Sequence, residues 1–517
     1  MKKIKIIMVI LVIISSILLI ANYSNAATDE YVTTTVINGV TANWEYRLND
    51  SNQIVYLRCT NPSDLKGSVT IPTTLDGKTV TSLGSSAFES ATNITEIIIP
   101  NTVKIIEYGA FRNCTKLAKV DLGNIEEMSF DVFTGCTSFT TITIPKTLKK
   151  GTWNGCLNNP NITSITLEEG LTVIPDGLCK NTGITSIIIP SSVKKIEEYA
   201  FANCTKLTKV DLGSIESIDY HIFSGCTSLT TITIPKTLKS TSTVNAPCLD
   251  NPNITNIIFE EGLTVIPSAL CANTGIASVT IPDSVKKIET YAFENCAKLT
   301  KVDLGSIESI GYHIFSGCTS LTTITIPKTL KDTSSGGVPC LDNPNITNII
   351  FEEGLTVIPS ALCANTGITS VTIPNSVKKI ELWAFEDCTK LDKITILDNV
   401  TDMSYYSDSI FRNHNDNLTI YCYKDSVAAN HAIKNNIKYV YLTKEENKEN
   451  TENDKEKEEY EDKVTDNKSD KEEKDTTTAQ GILPKTGIGF GLVVIIISLL
   501  GIGVFTYSKY NNLKDVK

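Results

Sequence analysis

Apolar residues recur along most of the chain in a short, regular unit. The unit reads L-x-x-I-x-I-P, then V-x-x-I, then A-F-x-x-C, and Leu229-Thr-Thr-Ile-Thr-Ile-Pro235 shows its first part. Alternating apolar residues predict a strand with one buried face, and proline ends that strand because it has no backbone N–H to donate to a neighbour. Each unit therefore predicts one short strand followed by turns.

The units form a longer repeat. Asn-Pro-Asn-Ile-Thr begins at positions 159, 251 and 343, a step of 92 residues, and each block holds four units spaced by 22, 23, 22 and 25 residues. Stacked units of this size share a continuous core. We predict a β-rich leucine-rich-repeat solenoid of about 15 units over residues 67–417, with a curved parallel sheet on its concave face and short turns or helical turns elsewhere. One aromatic position is expected to stack as an internal column: Phe111, Phe201, Phe293 and Phe385.

The paired motifs I-P and A-F-x-x-C resemble the BspA-like leucine-rich repeats of bacterial surface antigens over about residues 66–442. The segment from Trp44 to Gly84 is similar to the β-rich N-terminal cap of that family, and Leu418–Tyr441 to its C-terminal cap. We assign 27–66 and 418–442 to these caps, which cover the core at the end units. The resemblance implies adhesion to host matrix or to other cells.

The N-terminus has the layout of a secretory signal peptide. Three lysines precede an apolar run from Ile6 to Ala21, and small residues stand at Ser24 and Ala26. This pattern predicts a signal peptide over residues 1–26, cleaved between Ala26 and Ala27. The alternative is an uncleaved membrane anchor.

The C-terminus, residues 483–517, combines a pentapeptide, an apolar stretch and a basic tail. The stretch from Ile488 to Tyr507 is long enough to span a bilayer, and lysines follow it. Taken alone, it predicts a single-pass membrane helix. The pentapeptide Leu483, Pro484, Lys485, Thr486 and Gly487 resembles the LPxTG signal of sortase substrates. That resemblance implies cleavage after Thr486 and covalent attachment to peptidoglycan, so that the precursor alone carries the helix.

The charge distribution adds a linker and excludes some partners. The chain has a net charge of −11, and removal of both basic ends leaves about −16, which argues against nucleic acid or an anionic membrane as partner. Between Thr443 and Gln480 there are 15 acidic and 8 basic residues and almost no apolar ones. We predict that 443–482 is disordered and spans the cell wall; a solvated tail without a role is the alternative.

Fifteen cysteines in an exported chain raise the question of disulfides. From Cys114 to Cys388 their spacing follows the repeat, which predicts a buried column of free thiols acting as small apolar residues. Disulfides between stacked neighbours are the alternative. No C-x-x-C pair occurs, which argues against a metal site.

A reaction centre needs a nucleophile, a base and an orienting group at one place. The four histidines include His221 and His313, which are one repeat position copied after 92 residues. Because most polar residues of the solenoid are copied in this way, nothing marks a single centre. We predict no enzyme, no cofactor and no metal.

In each predicted strand, positions 4 and 6 face the core, and positions 3 and 5 face the concave surface. About fifteen strands would give a surface of ~70 Å, ample for a protein or glycan. Threonine also favours strands without any ligand, which is the plainer explanation. The proposed ligand face consists of Thr141, Thr143, Ser186, Lys209, Asp211, Thr231, Thr233, Ser278, Thr280, Lys301, Asp303, Thr323 and Thr325.

These observations predict a secreted, cell-wall-anchored surface protein that binds a protein or glycan of a host or neighbouring cell. Its processing partners would be sortase and peptidoglycan. The alternative is a structural surface coat without a dedicated ligand, which near-identical copies would suit. An enzyme hidden in residues 27–66 is a third hypothesis, weakened because that segment contains no histidine.

Overall fold

The computed structural model describes residues 30–242, 245–333, 336–403 and 410–443. All of them belong to one compact unit, Met1–Asn447. The predicted signal peptide, the linker beyond Thr443 and the sorting region at 483–517 lie outside the described residues. Within the described ranges, no helix is long and apolar enough to cross a membrane.

The chain winds into a leucine-rich-repeat β-solenoid, as the sequence predicts. Most turns contribute a strand of three to five residues and a strand of two residues. The longer strands lie side by side on what we call the long-strand face, and the two-residue strands form the short-strand face. The strands of the long-strand face are Gly67–Thr70, Ile94–Ile98, Lys119–Asp121, Thr141–Ile144, Ser164–Leu167, Ser186–Ile188, Lys209–Asp211, Thr231–Ile234, Asn256–Phe259, Ser278–Thr280, Lys301–Asp303, Thr323–Ile326, Asn348–Phe351, Ser370–Thr372, Lys393–Thr395, Thr419–Cys422 and Lys438–Tyr441.

The short-strand face runs parallel to the first along the solenoid. Its strands are Ser82–Leu83, Ile105–Ile106, Glu127–Met128, Val173–Ile174, Lys195–Ile196, Ser217–Ile218, Ser240–Thr241, Val265–Ile266, Lys287–Ile288, Ser309–Ile310, Asp332–Thr333, Val357–Ile358, Lys379–Ile380 and Asp402–Met403.

The long strands pair in short parallel groups rather than as one continuous sheet. Thr231–Ile234 pairs with Asn256–Phe259, for example, but no pairing joins Lys209–Asp211 to Thr231–Ile234. The short strands break elsewhere, because Val173–Ile174 through Ser240–Thr241 form one sheet. Where two neighbouring turns lack pairing between their long strands, their short-strand segments are paired, and the reverse also holds. Every two neighbouring turns are therefore joined by backbone hydrogen bonds on at least one face.

The N-terminal segment forms a three-stranded antiparallel sheet of Tyr31–Ile37, Val40–Leu48 and Ile54–Cys59. Asn38 and Gly39 make the first hairpin turn with φ values of 50° and 77°, the left-handed pair that a two-residue hairpin favours. Trp44 is buried and meets Phe88 edge-on at 5.8 Å between ring centroids, so that this sheet covers the first end of the core. A 3₁₀ turn at Pro62–Asp64 and a hairpin of Thr74–Leu75 with Lys78–Thr79 connect this sheet to the first turns of the solenoid.

The last turns end in an α-helix, Val427–Lys434, and the strand Lys438–Tyr441. Ser426 begins the helix, since its hydroxyl accepts a hydrogen bond from the Ala429 N–H at 3.1 Å. Ala428, Ala429 and Ala432 are buried, because their small side chains let the helix pack against the end of the core. The segment predicted as the C-terminal cap thus holds one helix between two strands.

The aromatic core is a series of separate stacks, which corrects the expectation of one column. Phe111 stacks on Phe88 and on Phe133 at 5.7 and 5.6 Å, but it does not reach Phe201. The intervening turns hold cysteines at the buried positions. Later stacks repeat the pattern: Phe201 with Phe223, Phe293 with Phe315, and Phe385 with Phe411.

All fifteen cysteines are buried and free of disulfides, but the thirteen from Cys114 to Cys388 occupy two positions in the unit rather than one. Cys114 and Cys204 stand at the A-F-x-x-C position, where each thiol donates to a carbonyl of the preceding turn, Phe88 for Cys114 and Cys179 for Cys204. Cys179 therefore occupies the same core position in its turn as Phe88 does in the turn before Cys114. The uneven steps of 20 and 25 residues in the cysteine spacing are the sequence signal of this shift.

Candidate binding surface

The side chains of the predicted ligand face point outward. In Thr231–Ile234 the burial pattern alternates, with Ile232 only 1 % exposed and Thr231 exposed, because successive residues of a strand point to opposite sides. The same alternation holds at every predicted position. Eleven of the thirteen side chains are exposed, and Thr233 and Thr325 are half-buried.

Pairing brings some of these side chains together and separates others. Ser186 lies beside Lys209 and Ser278 beside Lys301, since their strands are hydrogen-bonded in register. The break after Lys209–Asp211 leaves a recess of about 260 Å³, whose lining includes Lys209, Asp211, Thr233, Pro235 and Glu260. The face is therefore interrupted by a polar recess at this break in strand pairing.

The same recess occurs one block earlier, at Lys119–Asp121. It has a volume of about 310 Å³, and its lining includes Lys119, Asp121, Thr143 and Glu168. Lys119 is ion-paired with Glu96 at 2.7 Å, whereas Ser186 occupies the corresponding place beside Lys209. The two recesses thus have corresponding lining residues but differ in the charge of the lysine's neighbour.

Local hydrogen bonds fix the carboxylates of the recesses. Asp211 accepts the N–H of Gly213 at 3.0 Å, which fits the φ of 58° at that glycine. Glu260 accepts the N–H of Lys236 at 3.0 Å. Sequence reasoning missed Glu168, Glu260 and Glu352, although each follows its strand at the 92-residue step.

Three isoleucines also lie on the long-strand face with their side chains in solvent. Ile188 is 75 % exposed, and Ile258 and Ile350 are each 48 % exposed. Each occupies the same strand position as the aspartate or threonine of neighbouring turns. The face therefore offers apolar contact area between its charged and hydroxyl-bearing positions.

His221 and His313 each form a pair with an aspartate, and the sequence did not indicate these pairs. The Nδ1 atom of His221 lies 2.7 Å from Asp250 Oδ2, and His313 lies 2.6 Å from Asp342 in the same way. The imidazole of His221 also stacks on Tyr199 at 5.2 Å. These contacts fix the ring from two sides. Across the described ranges, no three His, Cys, Asp or Glu side chains converge closely enough to hold a metal ion.

Comparison with solved structures gives several leucine-rich-repeat proteins. A leucine-rich-repeat protein from Bacteroides ovatus ATCC 8483 is 22 % identical, with a TM-score of 0.47, over 81 % of this chain and 100 % of that one. The pneumococcal vaccine antigen PcpA is 17 % identical, with a TM-score of 0.38, over 80 % and 99 %. A leucine-rich cell surface protein from Faecalibacterium prausnitzii A2-165 is 20 % identical, with a TM-score of 0.30, over 78 % and 98 %.

A search of curated proteins found no significant match. A family model does match. The model for the BspA type leucine-rich repeat region, which describes six copies of the repeat, matches residues 67–182, 172–300 and 288–419. These matches cover the solenoid from its first long strand to its last turns, well over half of the chain, and the chain therefore belongs to the BspA-type leucine-rich-repeat family.

Proposed function

We propose that this protein is a cell-wall-anchored adhesin that binds a protein or glycan of a host or neighbouring cell through its long-strand face. The observation that carries the proposal is the exposure of hydroxyl, lysine and aspartate side chains at one strand position after another, above a fully buried core. Membership of the BspA-type family supports a role at the cell surface.

Attachment to the wall rests on the sequence of the two ends. The signal peptide, cleaved between Ala26 and Ala27, would send the chain across the membrane. Sortase would then cut after Thr486 and join the chain to peptidoglycan, and the charged linker would carry the solenoid outward. These segments lie outside the described residues, so this part of the proposal is tested by cell fractionation.

The chemistry of the long-strand face suits a polar, extended partner. Hydroxyl groups both donate and accept hydrogen bonds, while Lys209 and Asp211 add one charge of each sign to a recess. Exposed isoleucines such as Ile258 supply apolar contact between these groups. Blocks of four turns repeat the arrangement after roughly 19 Å at ~4.8 Å per turn. A partner with its own repeat could therefore engage several recesses and gain avidity.

The test places bulky cations on the face and compares them with equal cations elsewhere. Thr141→Arg, Thr231→Arg and Thr323→Arg together should abolish adhesion, because all three side chains are exposed at one strand position. The matched control changes exposed threonines beside the short-strand face instead: Thr172→Arg, Thr264→Arg and Thr356→Arg. Both variants add three positive charges and leave the core intact.

Bacteria carrying each variant are scored for binding to arrays of matrix proteins and glycans. Loss of binding in the face variant alone supports the proposal. Equal binding by both variants and the parent overturns the long-strand face as the site. If the parent itself binds no array component, the structural surface coat becomes the better explanation, and the near-identical blocks favour it.

A further inference from the structure

Carboxylates gather on the short-strand face where three neighbouring turns leave their strands. Val173–Ile174, Lys195–Ile196 and Ser217–Ile218 are paired in register, which aligns the residues that follow them. Asp176, Glu198 and Tyr220 occupy one position of this group, and Glu197 and Asp219 the position before it. Four carboxylates therefore lie within three turns, a span of roughly 10 Å at ~4.8 Å per turn. Asp176, Glu197 and Glu198 are half-buried, and Asp219 is buried.

Direct contacts tie these groups together. Asp176 Oδ1 accepts the backbone N–H of Glu198 at 3.1 Å, and interaction with the Glu198 carboxylate raises the pKa of Tyr220 to about 12. Lys195 lies 3.0 Å from Asp219 and 3.3 Å from Glu197. The lysine is the cation that contacts the group, so the cluster keeps a surplus of negative charge.

Asp219 shows that the cluster is incomplete as it stands. Its side chain is only 7 % exposed. One carboxylate oxygen pairs with Lys195, but the other, Oδ1, is buried and has no hydrogen-bond partner among the described residues. A buried carboxylate oxygen without a partner is costly, and the positive charge of a cation held by the neighbouring carboxylates would lower that cost.

The raised pKa of Asp176 also indicates that the cluster favours a bound cation. Burial, followed by the charges of Glu197, Glu198 and Asp219, raises the pKa of Asp176 to about 6. At neutral pH the group is ionised in surroundings that disfavour its charge. A cation placed among these carboxylates would relieve that repulsion.

The next block of the same chain lacks the cluster. Ninety-two residues on, Ser268, Thr290 and Gly311 stand in place of Asp176, Glu198 and Asp219. The lysine–glutamate pair is retained there, with Lys287 3.1 Å from Glu289. The fold therefore does not need the three added carboxylates, and a structural role does not explain them.

We propose that the cluster of Asp176, Glu197, Glu198 and Asp219 is a second binding site, which takes an arginine side chain of a partner protein. The guanidinium group presents five N–H donors in a planar fork and binds carboxylates in pairs. It also spans carboxylates that stand too far apart for a metal ion, as the absence of a metal-competent cluster in the described residues requires. The net charge of −11 favours a basic partner. The site lies on the short-strand face and does not depend on the adhesin site.

The test transfers the sequence of the second block into the first. The variant Asp176→Ser, Glu198→Thr and Asp219→Gly should fold, because these residues occupy the same positions 92 residues on. A matched control removes three exposed carboxylates elsewhere: Glu169→Ser, Glu261→Ser and Glu353→Ser. Should the first variant melt early, Asp176→Asn with Glu198→Gln keeps the shape of both side chains and replaces it.

Binding of a fluorescent tetra-arginine peptide to the purified full chain is measured by anisotropy at physiological salt. We expect at least tenfold weaker binding in the cluster variant, little change in the matched control, and no binding of a tetra-citrulline peptide. Equal weakening in both variants would show that bulk acidity alone attracts the peptide and would overturn the site. Displacement of the peptide by millimolar Ca²⁺ in the parent, but not by Mg²⁺ or added NaCl of equal ionic strength, would assign the cluster to a metal instead.

Discussion

Phe201 stacks on Phe223 with 5.6 Å between ring centroids and 20° between ring planes, and both rings are fully buried. The turn before Phe201 places the much smaller Cys179 at the same core position, as the hydrogen bond from the Cys204 thiol to the Cys179 carbonyl shows. From Phe201 onward, two turns with a ring at this position therefore alternate with two turns that have a cysteine there. Beyond the first stack of Phe88, Phe111 and Phe133, the stacked rings belong to two neighbouring turns, and each pair should act as a unit of local stability.

Removal of one ring from a pair should cost much of the local stability. Phe223→Ala takes out a ring with no exposed surface, and such a change costs about 3 to 5 kcal/mol because it leaves a cavity. We expect a lower urea midpoint by circular dichroism. Ile188→Ala, at a side chain that is 75 % exposed, is the matched control and should shift the midpoint little. Equal shifts in both variants would contradict the paired-ring account.

The buried thiols should be unreactive in the folded protein. Burial raises the pKa of Cys156 and of Cys248 to about 12, which keeps both in the unreactive thiol form at pH 8. We expect almost no reaction of the fifteen thiols with a colorimetric disulfide reagent until urea unfolds the chain, and then nearly complete reaction without a reductant. Mass spectrometry that finds mostly disulfides in freshly purified protein would refute this prediction.

The repeat spacing was enough to predict the solenoid, because every unit carries the same apolar positions and a proline that ends its strand. The outward direction of Thr231 and Lys209 followed from alternation alone. The break between Lys209–Asp211 and Thr231–Ile234 did not, since strand pairing depends on how far neighbouring turns separate, which no residue pattern encodes. The same holds for the contact of His221 with Asp250, whose residues are 29 positions apart and meet through the stacking of turns.

Asp176 should lower the stability of the fold at neutral pH. Its pKa is raised to about 6 in the folded chain, so that folding favours the protonated form. Above pH 6 the carboxyl is ionised in both states and the folded chain bears the full cost; below about pH 4 it is protonated in both and the cost vanishes. Asp176→Asn should therefore raise the melting temperature at pH 7 and leave it unchanged near pH 4.

The matched control for this change is Ser268→Asn, at the same position of the next block. Ser268 carries no charge, so its replacement should shift the melting temperature equally at both pH values. Melting is followed by scanning calorimetry at pH 4, 5, 6 and 7. If Asp176→Asn destabilises the protein at pH 7 as much as at pH 4, the carboxylate contributes through its hydrogen bond to Glu198 rather than through its charge.

Cell-wall attachment should depend on the pentapeptide Leu483–Gly487. If sortase recognises the pentapeptide and cuts after Thr486, Thr486→Ala removes the threonine side chain of the recognised signal. The acyl transfer to peptidoglycan should then fail, and the chain should stay in the membrane fraction or escape to the medium. Thr478→Ala, in the charged linker just before the signal, is the matched control and should leave attachment intact. Fractions released by muramidase are compared by immunoblot, where wall-linked chains run as a ladder of peptidoglycan fragments. A ladder that persists in Thr486→Ala would mean that another segment fixes the protein to the wall.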